Sequence, residues 1–528
     1  MLKWLENAVF YEIYPISFFD SNNDGMGDLN GITEKVDYIK SLGVDAVWIN
    51  PIYKSPFKDG GYDVSDYMEI DKRFGNMEDL KKLIKAFKEK GIKILLDLVV
   101  GHTSDKHKWF KKSACAKKNE YWDYYIWTDT LFRSYPGLIR GLYYRDGGYL
   151  PNYYASQPAL NFGWEKTDEA HPWMLHYTDE RLKPLREEII NIMRFYLDMG
   201  IDGFRVDMAA DMIKGGKLFS DDAAYDDSEE GLSGVKWFWN IVLGTLRKEY
   251  KDIVFIGEWV VPQRSISMVG FDMDFLTHDT IAFNSLYRYE KGTNLGDSEY
   301  YVRGYNYFSP EGKGDLKEFA KYTDYLYSRL GDKGMFTSPT GTHDEVRMPT
   351  NKSPDMIKTI FAFMLTYKQI PFIYYGDEIG MEHNFSVAKD GGGIRTGART
   401  PMQWTEEKGR GFSKKKTLYL PTSDKKNQSV EAQENDKNSI LNTVRELVKI
   451  RKAYPALNAN SQQKFIETGY PAIYERTNGD QTIVVLINPA DKSVKRTVEF
   501  SKVIMAQNTE INQNEITLKN QSFAILLK

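Results

Sequence analysis

Residues 92–100, IKILLDLVV, are almost wholly apolar, a composition that suits a strand buried on both faces. The segment before them, from Asn76, repeats Leu80, Leu83, Ile84 and Phe87 at the spacing of one helix face. Gly91 stands where a helix C-terminus takes glycine. The same succession recurs along the chain. Strands are expected at 8–15, 44–50, 201–207, 253–258, 335–339 and 370–375, with helices ending near 42 and spanning about 185–199, 235–250, 355–368 and 438–453. An acidic loop occupies 221–230, and the poorly patterned stretch after 258 should hold a sixth unit. Alternating apolar strands and helices specify a parallel sheet with helical cover. About eight such units are the count of a closed (β/α)8 TIM barrel.

The alternation lapses from 103 to 182, a stretch rich in aromatic residues, and is too long there for a connection inside a compact domain. It reads as an inserted subdomain. Past 455, short strands at 465–474, 482–488, 494–500 and 515–527 are split by Asn, Gly and Asp turns, the pattern of an antiparallel β-sandwich domain. The expected organisation is barrel over 1–102, insertion over 103–182, barrel again over 183–455 and β domain over 456–528, as a chain of 528 residues would divide.

A net charge of −4 gives no reason to expect nucleic acid. No apolar run approaches the ~20 residues of a membrane span. The single cysteine, Cys115, excludes an internal disulfide and allows a reducing compartment. The opening MLKWLEN lacks a basic region followed by an apolar core, so a cytoplasmic protein is expected, or a periplasmic or secreted one had a leader been removed. A monomer or weak homo-oligomer is expected. The 35 tyrosines and 11 tryptophans would suit a carbohydrate site but also an ordinary core.

Chemistry in such a barrel gathers where strands end at the carboxyl face. Those ends carry Asp97 and His102 near the third strand, Asp207 at the fourth, Glu258 at the fifth and His343-Asp344 after the seventh. Acids on three separate strand ends thus converge on one rim. Arg205, two residues before Asp207, shares its side of the strand, and a nearby cation keeps an acid ionised, as a nucleophile requires. Glu258 adjoins Trp259, and an indole beside a carboxyl excludes water and favours the protonated form that a general acid needs. One ionised and one protonated carboxyl flanking a bond are the requirement for glycoside cleavage. His102 and His343 could donate to sugar hydroxyls.

Together the segments Gly203-Phe204-Arg205-Val206-Asp207, Asp97-Leu98-Val99-Val100-Gly101-His102, Gly257-Glu258 and His343-Asp344 resemble, in order, the motifs of the α-amylase family, glycoside hydrolase family 13. The resemblance covers the whole chain. It implies that Asp207 is the nucleophile, Glu258 the acid/base and Asp344 the acid that stabilises the distorted sugar, with Arg205, His102 and His343 lining the glucose subsite. The stretch Ala398-Arg399-Thr400-Pro401-Met402-Gln403-Trp404 and the insertion motif Gln157-Pro158-Ala159-Leu160-Asn161 resemble the α-glucosidase, oligo-1,6-glucosidase and trehalose synthase branch, which usually carries Asp at the Ala159 position. Gly61-Tyr62-Asp63 resembles the segment whose tyrosine stacks on the terminal sugar. By the resemblance Asp63 pairs with Arg399 and blocks the site beyond one glucose.

The loop from Asp20 to Asp28 spaces oxygen ligands at positions 1, 3, 5 and 9, with glycine at position 6, the spacing of a calcium loop. Gly31 stands where an EF-hand has Glu. The loop resembles the calcium site after the first strand in the same branch, with Asp20, Asn22, Asp24, the Met26 carbonyl and Asp28 as ligands. Structural calcium is therefore expected, and no organic cofactor. Gly101 replaces the asparagine with which amylases hold a second calcium, and Thr342 replaces the asparagine usual before His343.

The activity expected is retaining, exo-acting hydrolysis of short malto- or isomalto-oligosaccharides. The alternatives are an endo-acting amylase or neopullulanase type, and a transferring or isomerising enzyme such as trehalose synthase. A non-catalytic transporter partner of this fold would need a membrane span and usually lacks the acids.

Overall fold

The computed structural model describes residues 1–132, 137–215, 228–277, 281–287 and 305–528. Eight parallel strands form one sheet: β1 (Phe10–Ile13), β2 (Ala46–Ile49), β3 (Lys93–Leu98), β4 (Gly203–Val206), β5 (Val254–Gly257), β6 (Met273–Phe275), β7 (Met335–Thr337) and β8 (Phe372–Tyr374). Hydrogen-bonded neighbours run β7, β6, β5, β4, β3, β2, β1, β8. The ring closes where Ile370 N donates to Phe336 O (3.3 Å) and Thr340 N to Phe372 O (3.2 Å). This is the (β/α)8 barrel that the alternation predicts.

The strands are short, and every residue of β1, β2, β4 and β5 is buried, because helices cover one face and the barrel interior fills the other. The longer covering helices are α1 (Met77–Glu89), α2 (Lys183–Asp198), α3 (Ser233–Glu249), α4 (Lys317–Leu330), α5 (Pro354–Thr366) and α6 (Ile440–Ala453). In α1, Leu80, Leu83, Ile84 and Phe87 all turn inward, each contributing roughly 1.5–3 kcal/mol of burial. Asn76 and Asp79 close a capping box at its start, and Gly91 takes φ +65° just past its end. The expected first helix is two short ones, Leu29–Glu34 and Val36–Ser41. Part of the acidic loop (221–227) and parts of the sixth unit (278–280 and 288–304) lie outside the described residues.

Over 103–182 the chain forms a short helix, Lys108–Ser113, and a two-residue hairpin, Ile139–Arg140 with Gly148–Tyr149. Aromatic contacts replace secondary structure as the glue. The Phe110 ring meets Tyr125 (5.0 Å), Trp127 (5.6 Å), Tyr143 (5.1 Å) and Tyr149 (5.1 Å). The segment 157–161 ties this unit to the end of β3, with Ala159 bridged to His102 and Leu160 N donating to Gly101 O at 3.1 Å.

The C-terminal domain is antiparallel β, as expected. Its strands β9 (Gln462–Thr468), β10 (Ala472–Asn478), β11 (Gln481–Asn488), β12 (Val494–Thr497), β13 (Lys502–Asn512) and β14 (Glu515–Leu527) make one antiparallel sheet. That sheet folds over itself. Ile473, Val484 and Leu486 on one half form a small core with Ile516 and Leu518 on the other. The expected strand 465–474 is two strands, broken at Gly469-Tyr470-Pro471, since proline cannot donate to a ladder. The alternation missed β13, none of whose residues is fully buried. Among the described residues no helix is long and apolar enough to cross a membrane.

Candidate active site

Register builds the site. Val206 of β4 pairs with Gly257 of β5, so the next residues, Asp207 and Glu258, emerge side by side. The ladder runs one step further, with Glu258 N donating to Val206 O (3.0 Å) and Ala209 N to Glu258 O (3.1 Å). Neighbouring strands lie about 4.7–4.9 Å apart. On the other side β3 and β4 pair Asp97 with Arg205.

Arg205, 2% exposed, is the centre of the cluster. Its Nη1 donates to Asp97 Oδ1 (2.9 Å) and Asp207 Oδ1 (3.1 Å), and its Nη2 pairs with Glu258 Oε1 (2.7 Å). Asp207 and Glu258 can therefore be no further apart than the span of one guanidinium plus two short contacts, and they open on one rim. The other Glu258 oxygen accepts from Met208 N at 3.0 Å. Glu258 keeps a quarter of its side chain open, while Trp259 is wholly buried. Burial and the Glu258 carboxylate push the Asp207 carboxyl well up, further than Arg205 pulls it down. Arg205, shared among three carboxyls, therefore does not by itself hold Asp207 in the low range that the sequence led us to expect.

A second cluster faces the first. Tyr62 stacks on the His343 ring (5.1 Å, 6° between planes) and donates from Oη to Asp97 Oδ2 at 2.7 Å. His343 Nδ1 lies 2.8 Å from Glu12 Oε1, and its Nε2 lies 3.0 Å from Asp344 Oδ2. Burial alone would lower the His343 pKa, but Asp344 and Glu12 on either side outweigh it and hold it at about 9. Asp344 is held well below the usual range, against burial, by His343 and Arg395. Glu12, a charged residue in the middle of an apolar strand, is a signal that the sequence offered and that our reading passed over.

Asp63 and Arg399 do not pair. Asp63 is fully buried and accepts from Ser55 Oγ (2.8 Å), Lys58 N (3.0 Å) and Asp59 N (3.2 Å), so it shapes its own loop. Arg399 instead donates from Nη2 to Asp344 Oδ1 (2.7 Å) and from Nε to His343 O (2.9 Å). Arg395 Nη1 reaches the same Asp344 oxygen at 2.9 Å, and its Nη2 lies 3.7 Å from Asp59 Oδ1. Asp59 is tied in turn to Gln157 Nε2 at 2.7 Å. Asp59, Arg395 and Gln157 thus belong to the rim, the first two unmarked by the sequence reading because nothing local links 59 to 395.

His102 is 1% exposed, and burial pushes its pKa down to about 4. The neutral ring donates from Nε2 to Tyr62 O (3.0 Å) and accepts at Nδ1 from Asn152 Nδ2 (3.1 Å). It therefore fixes the backbone of Tyr62.

The loop 20–28 is a chain of Asx turns. Asp20 accepts from Asn23 N and Gly25 N (2.7 Å each), Asn22 from Asp24 N (2.9 Å) and Asp24 from Met26 N (2.9 Å). Asp28 caps the helix Leu29–Glu34 through Gly31 N at 2.7 Å. Among the described residues no three Asp, Glu, His or Cys side chains gather as a ligand set.

The model of the family "Alpha amylase, catalytic domain" matches residues 12–460. An oligo-1,6-glucosidase of Parageobacillus thermoglucosidasius is 30% identical over 93% of this chain and 91% of its own length. A trehalose synthase/amylase of Mycolicibacterium smegmatis is 30% identical over 86% and 77%. Among solved structures, a mutant isomaltulose synthase from Erwinia rhapontici in complex with its natural substrate sucrose superposes with a TM-score of 0.81, at 26% identity over 100% of this chain and 99% of that one.

Proposed function

This chain belongs to the α-amylase family of glycoside hydrolases, and on that footing we propose that it is a retaining α-glucosidase that removes single glucose units from short malto- or isomalto-oligosaccharides. The observation that carries the reading is the shared clamp of Arg205 on Asp207 and Glu258. Retaining enzymes hold their two carboxyls about 5–5.5 Å apart, which is the scale set by adjacent strands. In the first step Asp207 forms a bond to the anomeric carbon as the glycosidic bond breaks, and the Glu258 proton passes to the leaving oxygen. In the second, Glu258 takes a proton from water, which displaces Asp207. Asp344 would hold the sugar hydroxyls, and its strongly acidic carboxyl keeps it ionised for that role. Tyr62 and His343 offer the stacked face beneath the ring.

Exo action is supported by the chain of contacts Gln157–Asp59–Arg395–Asp344–Arg399 along one side of the rim. Tyr154 Oη donates to Gly391 O (2.8 Å), joining the insertion to the loop that carries Arg395. Asp207→Ala should abolish glucose release while the thermal transition is kept. Retained activity overturns the reading.

A second reading, transfer of the glucosyl unit to another sugar instead of water, is favoured by the likeness to isomaltulose synthase and trehalose synthase/amylase. Chromatography of products from sucrose, maltose and isomaltose separates free glucose from a rearranged disaccharide.

Calcium in the loop 20–28 is part of the proposal, resting on the ligand spacing of Asp20, Asn22, Asp24, the Met26 carbonyl and Asp28. It would brace the loop against 414–419, where Lys414 N donates to Asn23 Oδ1 (3.1 Å) and Tyr419 N to Gly25 O (2.9 Å).

A further inference from the structure

Asp274, the central residue of β6, is fully buried and unused by the chemistry above. Five donors converge on its carboxylate. Oδ1 accepts from Trp259 N (3.1 Å), Val260 N (3.1 Å) and Phe275 N (2.8 Å), and Oδ2 from Val261 N (3.2 Å) and Ser265 Oγ (2.6 Å). Three of the five are the consecutive backbone N–H groups that follow Glu258. Successive N–H groups in a turn form a concave nest for a negative charge, and here the charge is supplied from the next strand.

The turn is strained. Val260 sits at φ +62°, in the left-handed region. For a β-branched residue that conformation is an outlier, costing on the order of 1–3 kcal/mol, and it persists only where the surroundings over-determine it. Asp274 is what over-determines it. Register explains why: β5 and β6 pair Gly257 with Asp274, so this carboxylate stands level with the point where the chain leaves β5 toward Glu258.

We propose that Asp274 is a positioning residue for Glu258, holding the 259–261 turn so that the Glu258 carboxyl stands in line to protonate the leaving oxygen. This rests on the reading of Glu258 as acid/base. Asparagine at 274 keeps the shape and one accepting oxygen but turns an amide toward Val261 N, where donor would meet donor, and the Ser265 hydroxyl must turn from donating to accepting. The turn then relaxes, and proton delivery suffers before glucose binding does.

The test compares kcat/KM for a hydrolysed disaccharide with that for α-glucosyl fluoride, in the full-length chain. Kcat/KM reports the first bond-breaking step. In it Asp207 bonds to the anomeric carbon and the leaving group departs, as an alcohol carrying the Glu258 proton from the disaccharide but as free fluoride from the fluoride. General acid assistance contributes about 10²–10⁴-fold. Asp274→Asn should lower the disaccharide value by about 10–100-fold and that for the fluoride by less than about 3-fold. Equal losses on both substrates, or no loss on either, overturn the proposal. Should D274N not accumulate as folded protein, Ser265→Ala removes one donor and should show the same selective loss at smaller size; an unselective or absent effect there overturns it equally. Glu258→Ala run alongside isolates the parent reading. If it loses both substrates alike, the acid/base assignment fails, whatever the Asp274 variant does.

Discussion

Arg395 Nη1 stands 2.9 Å from Asp344 Oδ1, the oxygen that Arg399 also holds at 2.7 Å. A carboxylate proposed to grip sugar hydroxyls is thus already bound on one oxygen by two guanidinium groups and on the other by His343. Such charge-assisted bonds are stronger than neutral ones and fix geometry. Arg395 is also the only one of the two arginines that reaches Asp59 within salt-bridge distance among the described residues.

Arg395→Ala should therefore loosen Asp344 on one side and open the rim toward Asp59. A hydrogen bond to a charged group is worth about 1.5–3 kcal/mol, so kcat/KM on disaccharides should fall at least roughly 10-fold. Longer oligosaccharides should suffer less, because the blocked end of the site opens. Initial rates across a chain-length series check this, and a uniform loss at every length contradicts it.

Glu12→Gln tests the charge on His343. The folded pKa of about 9 lies above the ordinary 6.5, so the stabilisation from its charge is full below about 6.5 and drains as pH rises through 9. Glu12 from β1 and Asp344 face the ring with charge; Asn50, Tyr62, Tyr14 and Trp48 face it without. Removing one of the two carboxylates should move the alkaline fall in both Tm and activity toward neutrality by about one pH unit, equivalent to about 1.4 kcal/mol. An unshifted alkaline limb would show that Glu12 does not set the imidazolium.

Chelation tests the loop 20–28. A ligand bound only by the folded state at a hundred times its Kd stabilises by about 2.7 kcal/mol. EDTA should lower the thermal transition by a few degrees and added calcium should restore it. A transition indifferent to both contradicts a structural ion there.

Arg476→Met tests the joint between barrel and C-terminal domain. Arg476 is buried and donates to Thr366 O and to Asn458 O (2.5 Å), while Arg451 donates to Leu365 O (2.9 Å) and Gln369 O (2.6 Å). Carbonyls left unpaired in an interior cost roughly 1–3 kcal/mol each. The variant should melt earlier, while the folded fraction at low temperature keeps its kcat.

The barrel and the three acids were legible because both rest on patterns that local sequence preserves. Apolar runs announce strands buried on two faces; Asp207 and Glu258 each follow such a run directly, and Asp344 comes in the loop after β7. What the sequence could not convey was pairing across distance. Asp59 meets Arg395, and Asp63 looks inward instead, because a loop of five residues decides which carboxylate faces the rim. Asp274 was hidden for another reason: an acid within a three-residue strand looks like an irregularity until the backbone it serves is seen. The strand β13 escaped notice because its partners bury what little it has to bury.

The helix α5 is buried along its length from Met356 to Thr366, and arginines at 451 and 476 close its last turn. During synthesis the seventh unit therefore cannot finish when its own residues have left the ribosome. It must wait for more than a hundred further residues, so the barrel and the tail fold as one cooperative body, and a chain cut short before β10 would leave its enzyme unfinished.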